Sequence, residues 1–134
     1  MDQRYRHLLR LMRRDVVDRI FAAMPQIEAY HGLEPGQRWR TTMGFFGGEP
    51  LLAQSRRAVE YIIKKAQEQG NTTFWAITNG TEIDSYVELL GLHSLSQLQI
   101  TIDGPPAEHD QRRIYADGQG SFERIARNIS YELL

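Results

Sequence analysis

The chain has 134 residues, 41% hydrophobic and 25% charged, which fits one domain of ordinary globular composition. Sixteen Lys and Arg against seventeen Asp and Glu leave a formal net charge of -1, so no global basic field exists to hold a nucleic-acid backbone. Cysteine is absent, which excludes disulfides, thiolate metal sites, cysteine nucleophiles and cysteine-held iron–sulfur clusters within these residues.

From about His7 to Met24, apolar residues such as Leu8, Met12, Val16, Ile20 and Met24 recur every three or four positions, which predicts an amphipathic helix that Pro25 should end or bend. Arg4, Arg6, Arg10, Arg13 and Arg14 crowd its start and read as a solvated helix face rather than a phosphate-binding arm. Glu34-Pro35-Gly36-Gln37 is a turn candidate, and a β-rich strand follows over residues 39–46, stopped by Gly47-Gly48. Pro50 suits the first turn of a second helix running to Gln69 and capped by Gly70.

The rhythm then repeats. Thr72–Thr78 predicts a strand, Asn79-Gly80 a turn, and Ile83–Leu90 a short helix closed by Gly91. Leu98–Ile102 predicts a third strand, followed by Asp103-Gly104-Pro105-Pro106 and a longer charged loop to Gly118-Gln119-Gly120. Ser121 is then placed to cap a last helix with Phe122, Ile125, Ala126, Ile129 and Leu133 on one stripe.

Strands separated by helices make parallel βαβ units, so the fold class is α/β, with about three parallel strands and four helices. Three strands are few for a sheet normally covered on both faces. No run approaches the roughly 18 apolar residues of a membrane span, and the N-terminus lacks a signal-peptide core. A cytoplasmic chain with no membrane or nucleic-acid partner is therefore expected.

Ligands in parallel α/β folds collect at the carboxyl ends of the strands. The turns there read Gly47-Gly48-Glu49-Pro50, Thr78-Asn79-Gly80 and Thr101-Ile102-Asp103-Gly104-Pro105, and on one sheet they share a rim. A glycine pair admits a ligand close to the backbone, and Glu49 is able to accept hydrogen bonds from an ammonium group. Arg113 offers a planar fork for a carboxylate and Thr101 one further hydrogen bond, although an Arg in a charged loop also suits a surface ion pair. His109-Asp110 are adjacent in sequence and read as loop structure or pocket support rather than as a catalytic pair. No nucleophile-elbow serine and no histidine metal motif is present.

Taken in order, Phe45-Phe46-Gly47-Gly48-Glu49-Pro50-Leu51-Leu52, Ile77-Thr78-Asn79-Gly80-Thr81, Leu98–Pro105, then His109-Asp110, Arg113 and Gly118-Gln119-Gly120-Ser121-Phe122, the chain resembles the radical S-adenosylmethionine (radical SAM) enzymes. Within them it is most similar to the branch of anaerobic sulfatase-maturating enzymes and SPASM-type peptide maturases. The resemblance covers about residues 12–133. It implies a partial (β/α) barrel around S-adenosylmethionine, with residues 1–134 forming an incomplete radical SAM domain.

The same resemblance implies cofactor-binding roles for Gly47, Gly48, Glu49, Pro50, Asn79, Thr101 and Arg113. The Gly47–Pro50 segment would receive the methionyl amino group through backbone carbonyls. Thr101, where the family carries Ser, would join Arg113 on the carboxylate. No catalytic and no metal-binding residue is assigned. The family's four-iron four-sulfur cluster is held by a Cys-x-x-x-Cys-x-x-Cys loop that this sequence lacks, so the isolated chain is not expected to generate a 5′-deoxyadenosyl radical.

Two readings follow from the resemblance. In the first, the chain is a central fragment, from a truncated or split gene, of a radical SAM enzyme that modifies a peptide or protein side chain by hydrogen abstraction, completed by a complementary chain carrying the cluster motif. In the second, it is a non-catalytic binding or protein-interaction module derived from that barrel.

Overall fold

The computed structural model describes residues 11–34, 42–70 and 73–132. The expected helix residues His7–Arg10 with Arg4 and Arg6, the turn residues Pro35-Gly36-Gln37, strand positions 39–41, Thr72 and Leu133 lie outside them.

The first helix, α1, spans Arg14–Tyr30 and buries Val17 and Phe21. It starts later than the apolar spacing suggests, with Leu11 and Met12 outside it, and it carries Pro25 inside instead of ending there. Pro25 has no N–H to give the carbonyl four residues back, and that carbonyl, on Phe21, is reached by the Gln69 side chain.

Strand β1 is Thr42–Phe45. The second helix is shorter than its sequence pattern, because the chain after Pro50 first makes a turn and a 3-10 segment at Ala53–Ser55, and α2 then runs Arg56–Glu68. Val59, Ile63 and Ala66 form its buried stripe. Strand β2 is Thr73–Thr78, strictly alternating in burial, as a half-covered strand should. Ile83–Leu89 is a 3-10 helix rather than an α-helix.

The third strand, β3, is Leu95–Ile100, displaced from the expected 98–102. Phe74 pairs with Leu95 but Trp75 pairs with Gln97, so Ser96 is an extra residue in the ladder, and its hydroxyl donates to the Phe74 carbonyl at 3.1 Å. A bulge and two outward glutamines disguise the strand in the sequence. The expected charged loop contains helix α3, Pro106–Arg112, and the last helix, α4, spans Phe122–Glu132.

The three strands are parallel in the order β1-β2-β3, so the chain is α/β with each strand followed by helical structure. One face of the sheet supplies Phe45, Phe74, Ala76 and Leu95 to a core completed by α1, α2 and Tyr86. The other face is dressed differently. Trp75 lies across Gly44, where a Cβ would run into the indole, and its ring stacks on the exposed Phe46 at 6.1 Å. Gln97 and Gln99 on the same side are exposed. Among the described residues no helix is long and apolar enough to cross a membrane.

Candidate functional site

Parallel pairing in the order β1-β2-β3 puts the three carboxyl ends at one edge of the sheet, and side chains then tie them together. Gly47 and Gly48 turn with φ of 89° and 60°, a region closed to most side chains, and bring Glu49 back toward the sheet. Its Oε1 accepts from the Leu51 N–H at 2.9 Å and from the Thr78 hydroxyl at 2.7 Å, and its Oε2 accepts from the Asn79 N–H at 2.7 Å. Glu49 thus joins the first strand tip to the second. The expectation that this carboxylate offers itself to an ammonium group meets a group already holding three donors.

Asn79 Oδ1 accepts from both the N–H and the hydroxyl of Thr81, at 2.9 and 2.8 Å, which is an Asx turn. The carbonyl of Gly80 accepts from Asn128 Nδ2 at 2.8 Å, tying the second tip to α4. The third tip joins through the backbone, with Thr101 N–H donating to the Thr78 carbonyl at 3.0 Å. Thr78 is therefore the centre of the rim: its hydroxyl serves Glu49 and accepts from the Gly80 N–H, while its carbonyl serves Thr101.

Arg113 sits just past α3, and its Nε and Nη2 grip Asp103 at 2.6 and 3.1 Å. This side-on pair holds the Asp103 carboxyl below the usual carboxylate range, chiefly through the Arg113 hydrogen bond, and raises the Arg113 guanidinium in turn. Among the described residues no partner takes Nη1. Tyr86, buried under the rim, donates to the Leu52 carbonyl at 2.8 Å. Burial, and then the charges of Glu82 and Glu49, push its phenol well above the ordinary tyrosine range.

His109 and Asp110 belong to α3 rather than to a loop. Asp110 Oδ1 accepts from the Phe122 N–H at 2.9 Å, so Asp110 occupies the first turn of α4 that Ser121 was expected to cap. The Ser121 hydroxyl instead donates to the Arg113 carbonyl at 2.8 Å.

Of the sequence-derived candidates, Glu49 and Asn79 are in direct contact, Gly47, Gly48 and Pro50 belong to the same tip as Glu49, and Thr101 joins through Thr78. Arg113 is anchored to the third tip by Asp103. Thr78, Asp103 and Asn128 are the structural members that sequence reasoning did not single out. Thr78 carries one sequence signal, a hydroxyl at the end of a strand immediately before Asn-Gly.

S-adenosylmethionine fits this rim in part. An oriented guanidinium with an unengaged edge suits its carboxylate, and the turn at Gly47-Gly48, with nothing within 4 Å of where either Cβ would stand, leaves room beside the backbone. A four-iron four-sulfur cluster does not fit, because the chain has no cysteine and, among the described residues, no group of three or more potential metal ligands converges.

Comparison with known proteins gives two similarities. A family profile described as a 4Fe-4S single cluster domain matches residues 14–125. A cysteine-type anaerobic sulfatase-maturating enzyme from Clostridium novyi (strain NT) is 34% identical over 91 residues, 66% of this chain and 24% of that enzyme. The chain spans about a quarter of the length of the curated relative it matches.

Proposed function

The chain belongs to the 4Fe-4S single cluster domain family, and its similarity to a sulfatase-maturating enzyme bears out the resemblance to radical SAM enzymes; from that premise we propose that it is the cofactor-positioning segment of an enzyme that modifies a peptide or protein side chain. When bound, the cofactor and a cluster held elsewhere supply hydrogen-atom abstraction. This chain's own residues do not perform that chemistry.

Their role is placement. Gly47, Gly48 and Pro50 give the first tip its close backbone, and Glu49 holds that tip against Asn79. Thr101 and Arg113 take the carboxylate end of S-adenosylmethionine. The observation carrying the reading is the Glu49 carboxylate, whose three hydrogen bonds fix two strand tips at hydrogen-bonding distance beside the third. The glycine pair beside it, which gives the turn its positive φ, also leaves open space next to that carboxylate.

Titration of the chain with S-adenosylmethionine, followed by backbone and Arg Nε NMR signals, tests this. Binding should be far weaker than micromolar, with shifts clustered at Gly47, Gly48, Asn79, Thr101 and Arg113. Shifts scattered over α1 and α2, or submicromolar affinity, would count against it.

The outer edge of β1 supports the further proposal of a complementary chain carrying the cluster motif. Beside that strand lies an apolar groove of about 430 Å³, walled by α1, α2 and residues such as Met12, Ile20, Met43 and Phe46. The same groove favours the second reading, an interaction module without catalysis. The two separate on iron: a partner strand that perturbs Thr42–Phe45 and also retains a cluster supports the enzyme, whereas one that binds without a cluster supports the module.

A further inference from the structure

We infer that His109 is a positioning residue for Arg113: through both ring nitrogens it fixes the main chain at each end of the Asp103–Arg113 pair, so that the guanidinium keeps its Nη1 edge free for a ligand carboxylate. The carboxylate part of this inference rests on the function proposed above.

His109 is completely buried, at 0% exposure, and no step assigned to the rim uses it. Its Nδ1 lies 3.2 Å from the backbone N–H of Asp103. That N–H is an obligatory donor, so Nδ1 carries the lone pair and the ring proton sits on Nε2. Nε2 is 3.0 Å from Ser121 Oγ and donates to it, and the Ser121 hydroxyl then donates to the Arg113 carbonyl at 2.8 Å. The Arg113 N–H closes the circuit on the His109 carbonyl at 2.8 Å. Every donor in this ring of contacts finds one acceptor, and the direction of each bond is dictated by the one before it.

The consequence falls on Arg113. Asp103 holds its Nε and Nη2, which is the side-on edge of the guanidinium. The opposite edge, Nη1 with the second Nη2 proton, matches a second carboxylate, and the side chain is 36% exposed. An Arg held on one edge loses less freedom when its other edge binds, which is the advantage of preorganisation. Only a chain that fixes Asp103 and Arg113 relative to each other can deliver this, and His109 is the residue that touches both.

Hydrogen exchange at Arg Nε in the whole chain tests the role, with Arg124 as internal control because its Nε donates to the Thr81 carbonyl and its Nη2 pairs with Asp84. His109→Gln keeps a donor toward Ser121 and loses the acceptor for Asp103. It should speed Arg113 Nε–H exchange by about tenfold and leave Arg124 within about twofold. His109→Asn, which puts an acceptor near the Nδ1 position, should recover part of the protection. Equal acceleration at both arginines would mean general loosening and would overturn the inference, as would no change at Arg113. If His109→Gln does not fold, Ser121→Ala cuts the relay at its other end and carries the same two outcomes. If instead these variants behave as expected but added S-adenosylmethionine leaves the wild-type Arg113 signal unmoved, the positioning role stands and the proposed ligand falls.

Discussion

The side-chain amide of Gln69, just past the end of α2, donates to the main-chain carbonyl of Phe21 in α1 at 3.4 Å. Phe21 is four residues before Pro25, so its carbonyl is the one that the proline ring deprives of a helical donor. A defect in one helix is thereby covered by its neighbour, and α1 continues to Tyr30.

The arrangement predicts a thermodynamic coupling. Gln69→Leu should cost about 1 kcal/mol, the scale of a hydrogen bond to a partly buried carbonyl. Pro25→Ala returns an N–H to the helix ladder, and in that background the same Gln69 substitution should cost measurably less. A double-mutant cycle by urea denaturation measures the difference; equal costs in both backgrounds would show that Gln69 acts on something other than the orphaned carbonyl.

Glu49 should behave as a structural clamp as well as a rim residue. Glu49→Gln retains one acceptor oxygen but turns an amide NH2 toward a backbone N–H, the arrangement now served by Oε2 and Asn79. A loss of about 2 kcal/mol is expected, the value of a hydrogen bond to a charged group, together with faster exchange of the Asn79 amide. Chemical denaturation and amide exchange measure the two effects separately, and a stable variant with unchanged Asn79 exchange would remove Glu49 from this role.

The Asp103–Arg113 pair sets a direction for pH dependence. Because Arg113 lowers the folded-state value of Asp103, the stabilisation from this group is fully present above the range in which an unfolded aspartate titrates. It is lost only as the pH falls through the lowered value. Carboxyl carbon NMR should therefore find Asp103 titrating below the ordinary aspartate range. In Arg113→Ala the Asp103 midpoint should move up, and an unmoved midpoint would show that the guanidinium is not its main partner.

Periodic burial writes itself into the sequence, whereas contacts between irregular segments do not. The stripe Val59-Ile63-Ala66 follows apolar periodicity, because burial on one face leaves a repeating mark, while strand Thr73–Thr78 shows in the sequence as a run rich in β-forming residues. Strand β3 is marked less clearly, since Ser96 interrupts the period and Gln97 and Gln99 look outward from an uncovered face. Helix α3 is only seven residues of mostly polar sequence and buries only His109, so nothing periodic announces it. At the rim, the open glycine pair and the Asn-Gly turn declare themselves, whereas the grip of Arg113 on Asp103 reaches back ten residues across the short helix α3. No local rule says which carboxylate a given arginine will find.

The glycines at the rim separate into two kinds, and substitution should distinguish them. Gly80 has φ +80, and a Cβ there would stand 2.9 Å from Ile100 Cγ2 and 3.1 Å from Ile125 Cγ2. Both neighbours are side chains packed under the second tip, and Ile125 is fully buried, so they have little room to move. Gly80→Ala therefore combines backbone strain of about 1–3 kcal/mol with overpacking of about the same size. Gly47 has φ +89 with nothing within 4 Å of its virtual Cβ, so Gly47→Ala should incur the backbone strain alone. Urea denaturation of the two variants should rank Gly80→Ala as clearly the more damaging. The reverse order would mean that the first tip, rather than the junction of the second tip with α4, is the constrained part of the rim.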